Sequence, residues 1–174
     1  MAGCLLCLAL AAAADDEDVY QDSAAKRMQV PEEAAESELR LPAYPDAGNS
    51  IEISLDRRDA PFSVLVDPAS ISIENHRDVR YTVILKSGTG AMNVFYESVR
   101  CGTSQYRRFA YGSDGSFRLL PDSDWKYVRA PGADRYRVTL MRDYLCPLPT
   151  GNGVKTLIDR LHQSDRASIF GTAQ

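Results

Sequence analysis

Apolar and polar residues alternate with a period of two through the middle of the chain. Ile51, Ile53 and Leu55 are separated by Glu52 and Ser54, a pattern that turns one face of a strand inward and the other to water. Phe62 to Val66 and Ser70 to Ile73 repeat it on either side of Asp67-Pro68, which reads as a turn. Val79 to Lys86 is a longer run rich in β-branched residues, closed by the breaker sequence Ser87-Gly88-Thr89-Gly90. Asn93 to Arg100 and Gln105 to Tyr111 flank Cys101-Gly102-Thr103-Ser104, which predicts a hairpin with a cysteine at its turn. In the second of these strands, strict alternation places Tyr106, Arg108 and Ala110 on one face and Arg107, Phe109 and Tyr111 on the other. Phe117 to Leu120 and Trp125 to Val128 are short strand candidates, with Pro121-Asp122-Ser123-Asp124 between them.

The period then changes. Tyr136, Leu140, Met141, Tyr144 and Leu145 recur at helical spacing between Asp134 and Leu145, although Tyr136, Val138 and Leu140 also fit a strand. Pro147 and Pro149 stop this segment, since proline lacks the amide hydrogen a helix interior needs. A second helix is predicted over Gly153 to Gln163, with Asn152 as its cap and Val154, Leu157, Ile158 and Leu161 as one apolar stripe. The expected fold is α+β: mainly antiparallel sheet, two C-terminal helices, and no internal repeat.

The N-terminal part has a different character. Leu5, Leu6, Leu8, Leu10 and the run Ala11 to Ala14 form a short apolar stretch ending at Asp15-Asp16-Glu17-Asp18. It is far below the roughly 20 residues a membrane-spanning helix needs. Ala12 and Ala14 match an Ala-x-Ala processing site, so residues 1–14 are expected to be a cleaved signal peptide and the mature chain to begin near Asp15. The positive charge that opens such a leader is missing, which a start codon assigned too far downstream would explain. From Asp15 to Arg40 there are nine acids and three bases; Leu41 to Gln174 carries 15 acids and 17 bases, 14 of them arginine. Residues 15–49, with Pro31, Pro42, Pro45 and few large apolar groups, read as an acidic, flexible or loosely docked linker to a single β-rich domain over 50–174.

Of the four cysteines, Cys4 and Cys7 leave with the leader. The remaining pair, Cys101 and Cys146, is most simply one disulfide in an exported chain; two buried free thiols are the alternative. The loop closed would span about 45 residues, worth on the order of 4 kcal/mol by chain entropy. Cys4 is not read as a lipid-attachment cysteine, because it precedes the apolar run instead of following it. No metal site is expected, since two cysteines and the distant His76 and His162 lack the paired spacing of zinc ligands.

Candidate chemistry is sparse. His162 ends an amphipathic helix and His76 lies in the polar connection Glu74 to Asp78, so neither reads as a catalytic base. No nucleophile elbow, zinc-protease helix or phosphate-cradling loop occurs, and no cofactor is implied. One constellation stands out: Arg100, Arg107 and Arg108 flank the hairpin turn among Tyr96, Tyr106, Phe109 and Tyr111. Arginine forks and aromatic rings can hold anions or polymer chains; equally, the arginines can pair with Glu97 and lay their stems over rings. A net charge of +2 from Leu41 to Gln174 is far from a nucleic-acid footprint. These observations favour a non-catalytic envelope domain whose partner is a protein or glycan. The second reading is a hydrolase using Glu97, Asp122 and Asp124, which would need two carboxylates roughly 5–10 Å apart in a cleft.

The run NVFYESVRCGTSQYRRFAYG, followed by the lone tryptophan Trp125, then RDYLCP and a terminal amphipathic helix, resembles the cryptic neisserial protein-like family of exported proteobacterial proteins. The resemblance covers roughly Val64 to Leu161. It implies an envelope location and an exported, cysteine-paired domain, in line with the periplasmic location expected from the leader, and it carries no catalytic residue across.

Overall fold

The computed structural model describes residues 39–55, 62–121, 123–129 and 132–170, with side chains through residue 163. The compact unit holding them is Ser37–Gln174. Among the described residues seven strands form one antiparallel sheet: β1 (Ile51–Ile53), β2 (Phe62–Glu74), β3 (Asp78–Ser87), β4 (Met92–Arg100), β5 (Gln105–Ser113), β6 (Ser116–Leu119) and β7 (Lys126–Tyr127). Sequential strands pair in the order β1 to β6, and β7 also pairs with β5. Helix α1 (Arg135–Thr139) runs directly into a π-helical segment, Leu140–Leu145, and α2 spans Gly153–Phe170. The α+β architecture expected from the periodicity is the one observed, including the period change after Asp134.

Register assigns the faces. Val66, Val83 and Phe95 are successive cross-strand partners, as are Tyr81, Glu97 and Arg108, and Val79, Val99 and Tyr106. This face carries the main core, where Val64, Val66, Val79, Tyr81, Val83 and Val99 pack with Tyr136, Leu140, Tyr144 and Leu145 of the first helical segment and Leu157 and Leu161 of α2. On the opposite face Leu65, Ile84 and Val94 form one small cluster and Tyr96, Phe109 and Ala110 another, with Phe117 touching both. Part of the segment read as linker lies against this second face: Tyr44 packs on Phe117 with ring centroids 5.4 Å apart, and Ala47 joins the Leu65 cluster.

Two irregularities depart from simple alternation. Phe62–Val66 and Ser70–Ile73 are not two strands around a turn but parts of β2, whose pairing with β3 is interrupted between Asp67 and Ser72. Pro68 cannot donate to the ladder, and an irregularity is where a strand tolerates it. Side chains repair the gap: the Asp67 carboxylate accepts the Ala69 amide at 3.0 Å, and the Ser70 hydroxyl donates to the Asp67 carbonyl at 2.8 Å while accepting the Thr82 amide at 2.7 Å. In β5, Glu97 pairs with Arg108 but Tyr96 pairs with Ala110, so Phe109 is an inserted residue. Beyond this bulge the faces exchange. Ala110 therefore lies opposite Tyr96, on the other face from Tyr106 and Arg108, and Tyr111 moves to the helix-bearing face.

The cysteine pair is a disulfide, with Cα atoms 5.7 Å apart and an S–S distance of 2.06 Å. It joins the β4–β5 turn to the residue directly after the π-helical segment, and so fixes the first helical segment over the hairpin.

Candidate functional site

A carboxylate at an inward position organises this part of the molecule. Glu97 is held on β4 between two apolar same-face residues, Phe95 and Val99, and is completely buried. A lone charge there would cost several kcal/mol after relaxation; four neighbours compensate it. From α1, Arg137 donates through Nε at 2.9 Å and Nη2 at 2.5 Å to the two carboxylate oxygens. The Tyr136 hydroxyl lies 3.1 and 3.0 Å from the same two oxygens, and the Tyr81 hydroxyl is at 3.5 Å. Arg108, the cross-strand partner on β5, donates its Nε at 2.9 Å. Asp134 accepts from the remaining Nη1 of Arg137, so two acids face two guanidiniums. The Arg137 guanidinium also lies 3.8 Å from the Tyr106 ring centroid and 4.5 Å from that of Tyr136.

Electrostatics follow the geometry. Burial and then the negative charge of Glu97 push the Tyr81 and Tyr136 hydroxyls well above the usual phenol range. Burial alone would lower the affinity of Arg137 for its proton, but its hydrogen bonds to Glu97 and that carboxylate's charge outweigh burial and raise it. The cluster is thus charge-balanced and closed to solvent on its helix side. A carboxylate with both oxygens engaged and no exposure is an anchor; a general acid or base must reach its substrate. Of the other acids considered for hydrolysis, Asp124 is exposed and Asp122 lies outside the described residues.

On the β5 side the cluster opens. A cavity of about 360 Å³ is lined by Tyr106, Arg108, Leu120, Pro121, Ser123, Asp124 and Lys126. Its outer wall is formed by Leu120, Pro121, Ser123 and Asp124, tied to β5 by the Leu120 amide donating to the Phe109 carbonyl at 2.8 Å and by the Ser123 hydroxyl donating to the Arg108 carbonyl. Register pairing of Tyr106 with Lys126 closes one end. Arg108 is one-third exposed, 32%, and its guanidinium carbon stands 3.7 Å from the Phe95 ring centroid. Among the described residues, Lys126 and Asp124 form no ion pair.

The three arginines and three tyrosines of the hairpin constellation, the ligand-binding candidates, separate. Tyr106 and Arg108 meet at this cavity. Arg107 is on the opposite face, 5.2 Å from the Phe109 ring centroid, and Tyr96 is buried there, 5.8 Å from the same ring. Arg100 makes a two-pronged ion pair with Asp78 at 2.9 and 3.1 Å and lies 4.0 Å over the Trp125 ring. Tyr111 is exposed near the far end of β5. His76 is exposed in the β2–β3 turn at positive φ, and His162 is exposed on α2. Sequence reasoning missed Tyr136, Arg137, Lys126 and Ser123; the available signal was Glu97 itself, a charge at an inward alternating position that demands a basic partner.

Among the described residues no cluster of histidine, cysteine, aspartate and glutamate is placed to hold a metal ion, and no helix is long and apolar enough to cross a membrane. The profile of the CNP1-like family matches residues 29–162, compatible with the resemblance carried by the hairpin motif. No curated protein and no solved structure matches the chain.

Proposed function

Because the chain belongs to the CNP1-like family, a family without an assigned activity, we propose from its own geometry that it is an exported, periplasmic binding domain that recognises an envelope component at the cavity beside β5 without transforming it. The observation that carries this reading is the saturation of Glu97. The fully buried carboxylate behind the cavity wall is locked by two guanidiniums and a phenol, which gives the cavity a fixed charged wall and keeps Glu97 itself from reaching a substrate as acid or base. Export is supported by the leader-like residues 1–14 and by the disulfide, a bond that persists in oxidising compartments.

Two measurements test it together. Cell fractionation with intact mass should find the chain in the periplasm, beginning near Asp15 and two hydrogens lighter than its reduced form. Incubation with purified envelope glycans and peptides should release no product. A reduced, cytoplasmic chain, or a product that disappears in Glu97→Gln with the fold retained, overturns the reading.

A further inference from the structure

The chemistry of the cavity lining narrows what it holds. Arg108 uses only its Nε toward Glu97, while its guanidinium plane is steadied by Phe95. A guanidinium carries five donors in a flat fork that matches a carboxylate, and Arg108, a lining residue whose Nη groups are not needed by Glu97, is already oriented by its contacts to Glu97 and Phe95. Lys126 adds a second cation and Asp124 an anion to the same lining. A simple carboxylate would leave Asp124 unmatched, and a multiply charged phosphate would be repelled by it. A ligand bearing both signs satisfies the two cations and the acid together. The rest of the lining is Tyr106, Leu120, Pro121 and Ser123, whose hydroxyl is turned to the Arg108 carbonyl, which leaves room for a short, mainly apolar side chain. At about 360 Å³ the space is at the small end of the roughly 300–1,000 Å³ of ligand sites.

We propose that the cavity beside β5 binds a zwitterionic α-amino carboxylate, as a free amino acid or a short peptide, with the ligand carboxylate on Arg108 and Lys126 and its ammonium on Asp124. The inference rests on the binding reading above only in using the same cavity. Because the outer wall is tied to β5 through the Phe109 and Arg108 carbonyls, little has to reorganise when the ligand enters.

The test is an amide and arginine Nε NMR titration of the oxidised full chain with L-alanine, L-alanyl-L-alanine, acetate and inorganic phosphate. Alanine or its dipeptide should shift Arg108 Nε and the amides of Asp124 and Lys126 and saturate in the millimolar range, the tighter of the two identifying the source. Acetate should bind about tenfold more weakly, having lost one charge-assisted contact. Asp124→Asn should weaken alanine by about that factor and leave acetate unchanged; Lys126→Gln, at an exposed position, should weaken both. Acetate or phosphate binding as tightly as alanine, indifference to Asp124→Asn, or no saturable shift with any probe overturns the proposal. Those outcomes leave compartment and product release unaffected, so they are distinct from failure of the binding-domain reading.

Discussion

The two sides of Glu97 are built from the same materials and differ in completion. Toward the helix, Arg137 is 2% exposed and satisfied by Glu97 and Asp134, with two tyrosine rings against it. Toward the β5 edge, Arg108 is 32% exposed, gives one nitrogen to the carboxylate and lines a cavity. A single carboxylate therefore anchors a helix on one side and presents an oriented cation on the other. The difference teaches that burial of an ion pair here is a device for positioning, since replacing such a pair with apolar residues often leaves stability unchanged or higher.

The comparison breaks most visibly on the helix side. Arg137→Ala leaves a buried carboxylate without its main partner, and chemical denaturation should show a loss of about 3–5 kcal/mol; a loss no greater than that of Arg108→Ala would erase the distinction between the sides. Replacing both cysteines of the pair with serine should lower stability by up to about 4 kcal/mol through the 45-residue separation they close, and should loosen the helical segment over Glu97 before the sheet, read as faster amide exchange at Tyr136 and Arg137.

A smaller loss, about 1.5–3 kcal/mol, is expected for Tyr136→Phe, which removes a hydroxyl bonded to a charged group. The same residue sets an alkaline limit. Tyr81 and Tyr136 have raised values in the fold, whereas an unfolded tyrosine ionises near pH 10. Above about pH 10 the unfolded chain holds fewer protons than the folded one, so their contribution is complete below that pH and falls as pH rises. Denaturation midpoints from pH 9 to 11.5 should show this slope, and Tyr136→Phe should flatten it. Arg108→Ala is expected to have the smallest effect on stability, under about 1 kcal/mol because the pair is partly exposed, while abolishing ligand shifts at the cavity. An equal loss of stability and binding would make Arg108 another internal strut.

Much of the scaffold was legible because alternation and turn chemistry are local. Ile51 to Leu55, Val79 to Lys86 and the Cys101 hairpin announced strands, and the proline-bounded run from Asp134 announced a helix. The cysteine pair was legible by arithmetic. Interruptions were not: an irregularity around Pro68 and a tight turn present the same residues, and only the register of β3 distinguishes them. The partners of Glu97 were hidden for another reason. Phe95, Glu97 and Val99 reveal an acid facing inward, but Tyr136 and Arg137 lie 39 and 40 positions away in sequence, and no local pattern encodes which of many arginines arrives. Arg100, Arg107 and Arg108 looked like one group because sequence proximity ignores the pleat.

Phe109 has a consequence for how this strand tolerates length changes. The inserted residue works as a one-position frame shift within β5. Downstream of it, Gly112 comes to lie under Tyr44, where an added Cβ would sit 2.7 Å from Val94 and 2.8 Å from the tyrosine ring. Deleting Phe109 would leave Gly112 opposite Val94, whereas keeping Phe109 and pairing it in the ladder would slide Tyr111 into that place and bring a side chain where only hydrogen fits, so the more regular register would make the worse strand.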